Sequence, residues 1–213
     1  MNNIGVLVSG GGTNLQAIID KIHMGPCDAQ IRCVISNVPE VYALTRAKSA
    51  NIPGQVIQHG QFSSRSEFEN ALIDAMDIFD VNMVLLAGFM RVLDTTFIAR
   101  YRGRILNIHP CLLPDFPGLH THQRVLDAGA DRHGCSVHFA TTELDGGPVI
   151  LQASVPVLMD DDADSLAARV LEQEHIIYPM CVEWLCEGKI HFQDGGAYFE
   201  QQRLEHPLQL DAL

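Results

Sequence analysis

Basic side chains are scarce in this chain, with 14 Lys and Arg against 26 Asp and Glu, a formal charge of −12 with histidine neutral. Non-specific affinity for nucleic acid comes mostly from cations neutralising phosphates, so this balance argues against a phosphate-backbone partner. Six cysteines, at 27, 33, 111, 135, 181 and 186, form no C-x-x-C pair. They make neither a zinc site nor a small-domain disulfide framework, and buried reduced thiols are expected. No apolar run is long enough for a membrane span. The first, Ile4 to Val8, lacks a basic flank and is too short for a signal core. A cytoplasmic protein without a membrane partner is the expectation. There is also no long block of like charge, the longest acidic run being Asp160–Asp162, and no low-complexity tract or internal repeat.

What is present is an alternation of short β-branched runs with amphipathic stretches. Ile4–Ser9, Ile31–Ser36, Gln55–Ile57, Met83–Ala87, Arg104–Ile108, Ser136–Ala140 and Val149–Val157 predict strands. The early ones are nearly all apolar, as strands covered on both faces should be. Helical spacing fills the gaps at Asn14–His23, about Glu40–Ala50, Ser66–Phe79, Asp94–Arg100 and about Ala163–Glu187. Strand then helix, repeated, predicts an α/β fold with a doubly wound, mostly parallel sheet. Lys189–Phe192 and Ala197–Phe199 flank Asp194-Gly195-Gly196 and predict a small C-terminal hairpin. We expect one domain over residues 1–200 and a tail at 201–213. The connection Pro110–His133, with several Pro, Gly and His residues and a short helical pattern near Gln123–Ala128, is long for a compact domain, as functional or mobile loops are.

Three clusters could carry chemistry. The first strand runs into Ser9-Gly10-Gly11-Gly12-Thr13-Asn14 and then a helix. Consecutive glycines allow a sharp turn that leaves amide N–H groups where a phosphate can be held. The alternative is a plain strand-to-helix turn with Thr13 or Asn14 as the cap. Neither the third glycine of a dinucleotide fingerprint nor the Gly-Lys-Ser/Thr ending of a Walker loop is there. Second, Asn107 and His109 lie two residues apart at the end of a strand and share a face. An amide donor beside an imidazole fits oxyanion stabilisation with proton transfer, although a hydrogen-bonded Asn and a structural His would look the same. Third, Asp145 sits in the turn Glu143–Pro148, either as a turn former or as a carboxylate that orients His109 and raises its pKa.

Arg91, after the fourth strand, is either a pocket lip or a solvated cation. Glu174 interrupts the apolar stripe Leu166, Val170, Ile177, Cys181 and therefore needs a partner, a substrate ammonium or a neighbouring Arg. His120, His122, His133 and His138 could ligate a metal, but no ligand spacing accompanies them, and no metal requirement is expected. Asp160–Asp162 is expected to cap the long helix.

Taken together, Ser9–Ala17, Leu86–Arg91, Asn107–Pro110, Pro117–His122 and Leu144–Ile150 resemble the motifs of phosphoribosylglycinamide formyltransferases, folate-dependent enzymes of purine synthesis. The resemblance covers nearly the whole chain. It implies a Rossmann-like formyltransferase fold, with 10-formyltetrahydrofolate as formyl-donor cosubstrate, the amine of 5-phosphoribosylglycinamide (GAR) as acceptor, and a monomer or homodimer. It further implies Asn107, His109 and Asp145 as the catalytic set. Gly12, Thr13, Asn14 and Glu174 would hold GAR. Arg65, Met90, Arg91, Val92, Leu93, Asn107 and the turn Glu143, Leu144, Asp145, Gly146, Gly147 would hold folate, and the histidine-bearing connection would be a lid. Gly11 stands where the family commonly has Asn, Thr13 where it has Ser, and Cys111 where Ser follows His-Pro. Cys111 beside His109 raises a nucleophilic-thiol alternative, against which no activating context is visible. Other readings are a formyltetrahydrofolate deformylase, whose relatives carry an extra N-terminal domain, and a methionyl-tRNA formyltransferase, which needs a tRNA surface. The remaining two are a nucleotide-dependent oxidoreductase and a non-catalytic folate or nucleotide module.

Overall fold

The computed structural model describes residues 1–212. Its contacts divide the chain after Leu106 into two compact units. In the first, β1 (Asn2–Val8), β2 (Ala29–Ser36), β3 (Gly54–Val56) and β4 (Met83–Leu86) are ordered β4-β1-β2-β3 with every neighbouring pair parallel. Apolar residues on both faces explain this: Ile4, Val6, Leu7, Val8, Val34, Ile35, Val84 and Leu85 are all fully buried. Helix α1 (Thr13–Ile18) runs on as a π-helical turn over Ile19–His23, followed by α2 (Tyr42–Ser49), α3 (Arg65–Asp77) and α4 (Thr95–Arg100). Ser64 caps α3 by accepting from the Glu67 N–H, and Asp94 caps α4 by accepting from Thr96 and Phe97. Caps of this kind contribute about 1 kcal/mol each.

Strand β5 (Ile105–His109) crosses the division. The second unit adds α5 (Thr121–Asp127), β6 (Arg132–Phe139), β7 (Val149–Pro156) and the long α6 (Ala163–Cys186), which packs on β6 and β7. The stripe Leu166, Val170, Glu174, Ile177 and Cys181 is buried as its spacing predicts. Asp162 and Ser165 form a reciprocal capping box at the start of α6, and Asp161 pairs with Arg169 at 2.7 Å. β6 and β7 are antiparallel, because the short connection between them leaves no room for a crossover.

The α/β class, the mostly parallel sheet and the C-terminal hairpin agree with the sequence. The hairpin is β8 (Ile190–Gln193) and β9 (Gly196–Phe199), extended by β10 (Gln202–Arg203) into a three-stranded antiparallel sheet. Residues read as a tail contain paired backbone: β11 (Leu208–Gln209) adds in parallel to β7 opposite Leu151 and Gln152. His133, assigned above to the long connection, instead lies inside β6 and is buried. Among the described residues no helix is long and apolar enough to cross a membrane.

Gly134 in β6 has no room for a side chain, since a Cβ would sit 2.0 Å from the Ala153 carbonyl oxygen on β7. Gly134→Ala must push the two strands apart. We expect a loss of about 2–4 kcal/mol of unfolding free energy, read from urea denaturation.

Candidate active site

Strand pleating builds the polar centre of the second unit. Asn107 and His109 project from the same side of β5, and Ser136 and His138 alternate in the same way along β6. Asn107 Nδ2 lies 3.0 Å from His138 Nε2, and His138 Nδ1 lies 3.0 Å from its neighbour's carbonyl, Phe139 O. A carbonyl only accepts, so Nδ1 carries the proton and Nε2 accepts from the Asn107 amide. That fixes the amide: one N–H points at His138 and the second remains available. Burial pushes the His138 pKa down to about 4, which keeps the ring neutral and holds this arrangement.

His109 is 7% exposed, with Nδ1 3.5 Å from Asp145 Oδ2. The same oxygen accepts from the Gly118 N–H at 2.9 Å, while Oδ1 is 3.9 Å from His138 Nε2. Asp145 adopts a left-handed backbone, φ 50°, and the turn around it tolerates no side chain at Gly147, where a Cβ would fall 1.8 Å from Phe139 O. His109 Nε2 is buried and has no protein partner. A buried nitrogen left open beside a carboxylate-oriented ring is how a proton acceptor for a bound molecule would look. The expectation that Asp145 raises the His109 pKa needs correcting. Desolvation is the larger effect and the pKa is lowered, with Asp145 and the Phe116 backbone only opposing it.

Cys111 is fully buried, donates its thiol to Asp115 O, and is pushed up to about 12, so it is no nucleophile. Glu174 is 7% exposed on α6, facing the same interior as Cys135. Leu144 and Glu143 are exposed on the turn with Asp145, as is Gly146. The histidines weighed as metal ligands do not converge. His122 and His133 meet at 3.0 Å, His120 is exposed, and His138 belongs to Asn107.

In the first unit, the glycine loop is fastened away from its amides. Gly10 O accepts from Ala43 N, and Gly11 O accepts from Arg46 Nε at 2.9 Å. The α1 cap is Gly12, not Thr13 or Asn14. It is left-handed at φ 72° and packed so closely on α2 that a Cβ would lie 2.7 Å from the Ala43 Cβ. No side chain caps α1 and its first turn has no acid, so the cap chemistry falls to backbone alone. Thr13 is half-buried and Asn14 buried. Arg65, Arg91 and Val92 line a cleft of about 170 Å³ with His59, Phe62, Ser63, Ser64, Phe68 and Glu69. Met90 and Val92 are exposed and Leu93 buried.

Sequence reasoning grouped Asn107, His109 and Asp145; His109 lies beside Asp145, and Asn107 reaches the carboxylate by way of His138. It missed His138, weighed only as a metal ligand, and Ser9, whose Oγ accepts from the Met90 N–H at 2.8 Å and donates to Asn37 Oδ1. The two-residue repeat of β6 was the signal that could have found His138.

A half-buried amide, two buried imidazoles and a carboxylate thus stand around β5 and β6, donors and acceptors of the kind suited to acyl-type transfer. Residues 2–182 match the formyl transferase family, and the chain belongs to it. It is 47% identical to the phosphoribosylglycinamide formyltransferase of Escherichia coli K12 over 95% of both chains, and 45% identical to that of Haemophilus influenzae over 96% of both. Among solved structures, the phosphoribosylglycinamide formyltransferase of Coxiella burnetii superposes with a TM-score of 0.91 at 43% identity. That match covers 97% of this chain and 99% of the other.

The buried histidines give stability a direction in pH. His133 and His138 are both held down near 4, and His109 is also lowered. Unfolded, these rings take protons near 6.5, so the unfolded state binds more protons between about 6.5 and 4. Their contribution is complete above 6.5 and is lost as pH falls toward 4. Urea midpoints should drop steadily across that window; a flat profile would show that the rings are not held neutral.

Proposed function

We propose that this formyl transferase moves the formyl group of 10-formyltetrahydrofolate onto the amine of GAR, giving formyl-GAR and tetrahydrofolate for purine biosynthesis. The observation that carries the reading is the Asn107–His109–Asp145 cluster, in a chain similar over nearly its whole length to enzymes of that name. The folate is a cosubstrate, and no step calls for a metal.

The chemistry follows from the resting protonation. Burial leaves His109 neutral, with Nδ1–H toward Asp145 and Nε2 open. The GAR amine attacks the formyl carbon, and the carbonyl π pair moves to oxygen as the oxyanion. The remaining Asn107 N–H donates to that oxygen. The attacking nitrogen, now cationic, gives a proton to His109 Nε2. The resulting imidazolium is stabilised by the Asp145 carboxylate and itself stabilises the oxyanion. On collapse the C–N bond to folate breaks, and the folate nitrogen takes the proton back from His109, directly or through water. Atoms and charge balance with no bond to the protein.

For binding, within the first unit Gly12, Thr13 and Asn14 would hold the GAR phosphate and ribose, and Met90, Arg91, Val92 and Leu93 with Arg65 would hold folate. Within the second, Glu174 would meet the glycinamide end, and Asn107 and the turn Glu143–Gly147 the folate. The connection from Pro110 through α5 would serve as a lid that limits hydrolysis of the donor.

Mixing the protein with GAR and 10-formyltetrahydrofolate should yield formyl-GAR at a rate that vanishes when GAR is omitted. Equal tetrahydrofolate release without GAR would identify a deformylase instead. Asp145→Asn should lower kcat by on the order of a hundredfold while the GAR dissociation constant stays within about threefold. Unchanged kcat would remove Asp145 from the mechanism.

A further inference from the structure

In the first unit, the segment Met90–Leu93 is fastened at both of its ends, by different chemistry. At its start, the neutral Ser9 hydroxyl accepts from the Met90 N–H at 2.8 Å. Beyond its end, the carboxyl group of Glu69 on α3 accepts from the Asp94 N–H through both oxygens, at 2.9 and 2.8 Å. Glu69 also accepts from Arg65 Nε at 2.9 Å, and Arg65 in turn donates to Val92 O at 2.5 Å. Glu69 is 1% exposed, whereas Met90 and Val92 are 62% and 48% exposed. A carboxylate that deep, on a helix whose other buried residues are Phe68, Leu72, Ala75 and Met76, has no packing role that a Leu could not fill.

We propose that Glu69 is a positioning residue for the formyl donor: through Arg65 and the Asp94 N–H it holds Val92–Asp94 in the shape that binds folate. This rests on the reading that Met90–Leu93 contacts folate.

The Glu69 carboxyl faces a second acid, and that sets which of its forms closes the clamp. The Asp94 side chain, which caps α4, hydrogen-bonds the Glu69 carboxyl, and two ionised carboxylates cannot share that contact. The proton sits on Glu69, whose pKa is raised to about 7 by burial first and the Asp94 side chain second, while Asp94 is lowered. The other titratable or charged groups at this cleft are Arg65, Arg91 and His59. The Asp94 backbone N–H first and Arg65 second offset part of the rise by their hydrogen bonds. Below about 7, Glu69 O–H donates to the Asp94 carboxylate and the clamp is closed. Above it, carboxylate faces carboxylate, and the strain falls on the Val92–Asp94 end because the Ser9 end does not titrate.

The test is equilibrium titration of the whole protein with tetrahydrofolate from about pH 6 to 8.5, on wild type, Glu69→Gln and Glu69→Ala, with folding checked by circular dichroism. Wild-type dissociation constants should rise on the order of tenfold across neutrality. Glu69→Gln keeps an acceptor for Arg65 and Asp94 N–H and gains a permanent N–H for the Asp94 carboxylate, so it should bind tightly at every pH. Glu69→Ala should bind weakly at every pH, with the KM for GAR unchanged within about twofold. A Glu69→Ala protein that binds like wild type, or a Glu69→Gln protein that retains the wild-type pH dependence, overturns the proposal. If the tetrahydrofolate pattern appears but no formyl-GAR forms, the clamp stands and the proposed reaction fails. Absence of tetrahydrofolate binding to wild type overturns both.

Discussion

The second unit depends on the removal of His109 from water. Desolvation exceeds the attraction of a carboxylate 3.5 Å away and leaves the ring uncharged. The carboxylate then has a second use. It makes protonation less costly when a proton arrives, without charging the ring beforehand. An exposed His–Asp pair would rest partly as imidazolium and would have no lone pair to offer at Nε2. Burial and Asp145 therefore act in opposite directions on the same equilibrium, and the proposed proton relay would use both.

Orientation is carried by backbone wherever charge would interfere. Asp145 is held by the Gly118 N–H, and His138 by its neighbour's carbonyl, so each side chain has a fixed face without a further ion. The glycine loop follows the same logic: Gly10 and Gly11 carbonyls are drawn to α2, and the cap at Gly12 carries no side chain. A net charge of −12 is compatible with anionic ligands on these terms, because the donors that would meet them are local amides and a few placed arginines.

Much of this was legible before any coordinates. Nearly continuous apolar strands alternating with helical stretches gave the parallel sheet, and the two-residue repeat of a strand put Asn107 and His109 on one face. The apolar stripe of α6 was readable down to Glu174. Three features were not. His138 looked like any buried histidine, because its role lies in a hydrogen bond across strands that sequence separation conceals. The direction of the His109 shift depends on how deeply the ring is buried, which a pairing with Asp145 does not reveal. The residues after β9 looked like a tail because β10 and β11 are two residues long each, too short to show a period.

Glu69 belongs with these, for a related reason. On α3 the alternation of Glu67, Phe68, Glu69 and Asn70 reads as one apolar residue among polar ones, and nothing marks the second carboxylate as buried. Its partners lie far along the chain, at Asp94 and through Arg65 at Val92. A buried acid persists against its desolvation only when several donors converge on it, so its presence points to a segment whose backbone must be held. The same test applied to His109 and Glu69 gives opposite answers. Burial removes the proton from the imidazole and leaves it on the carboxyl, and in both cases the neutral form is the one suited to the neighbour it faces.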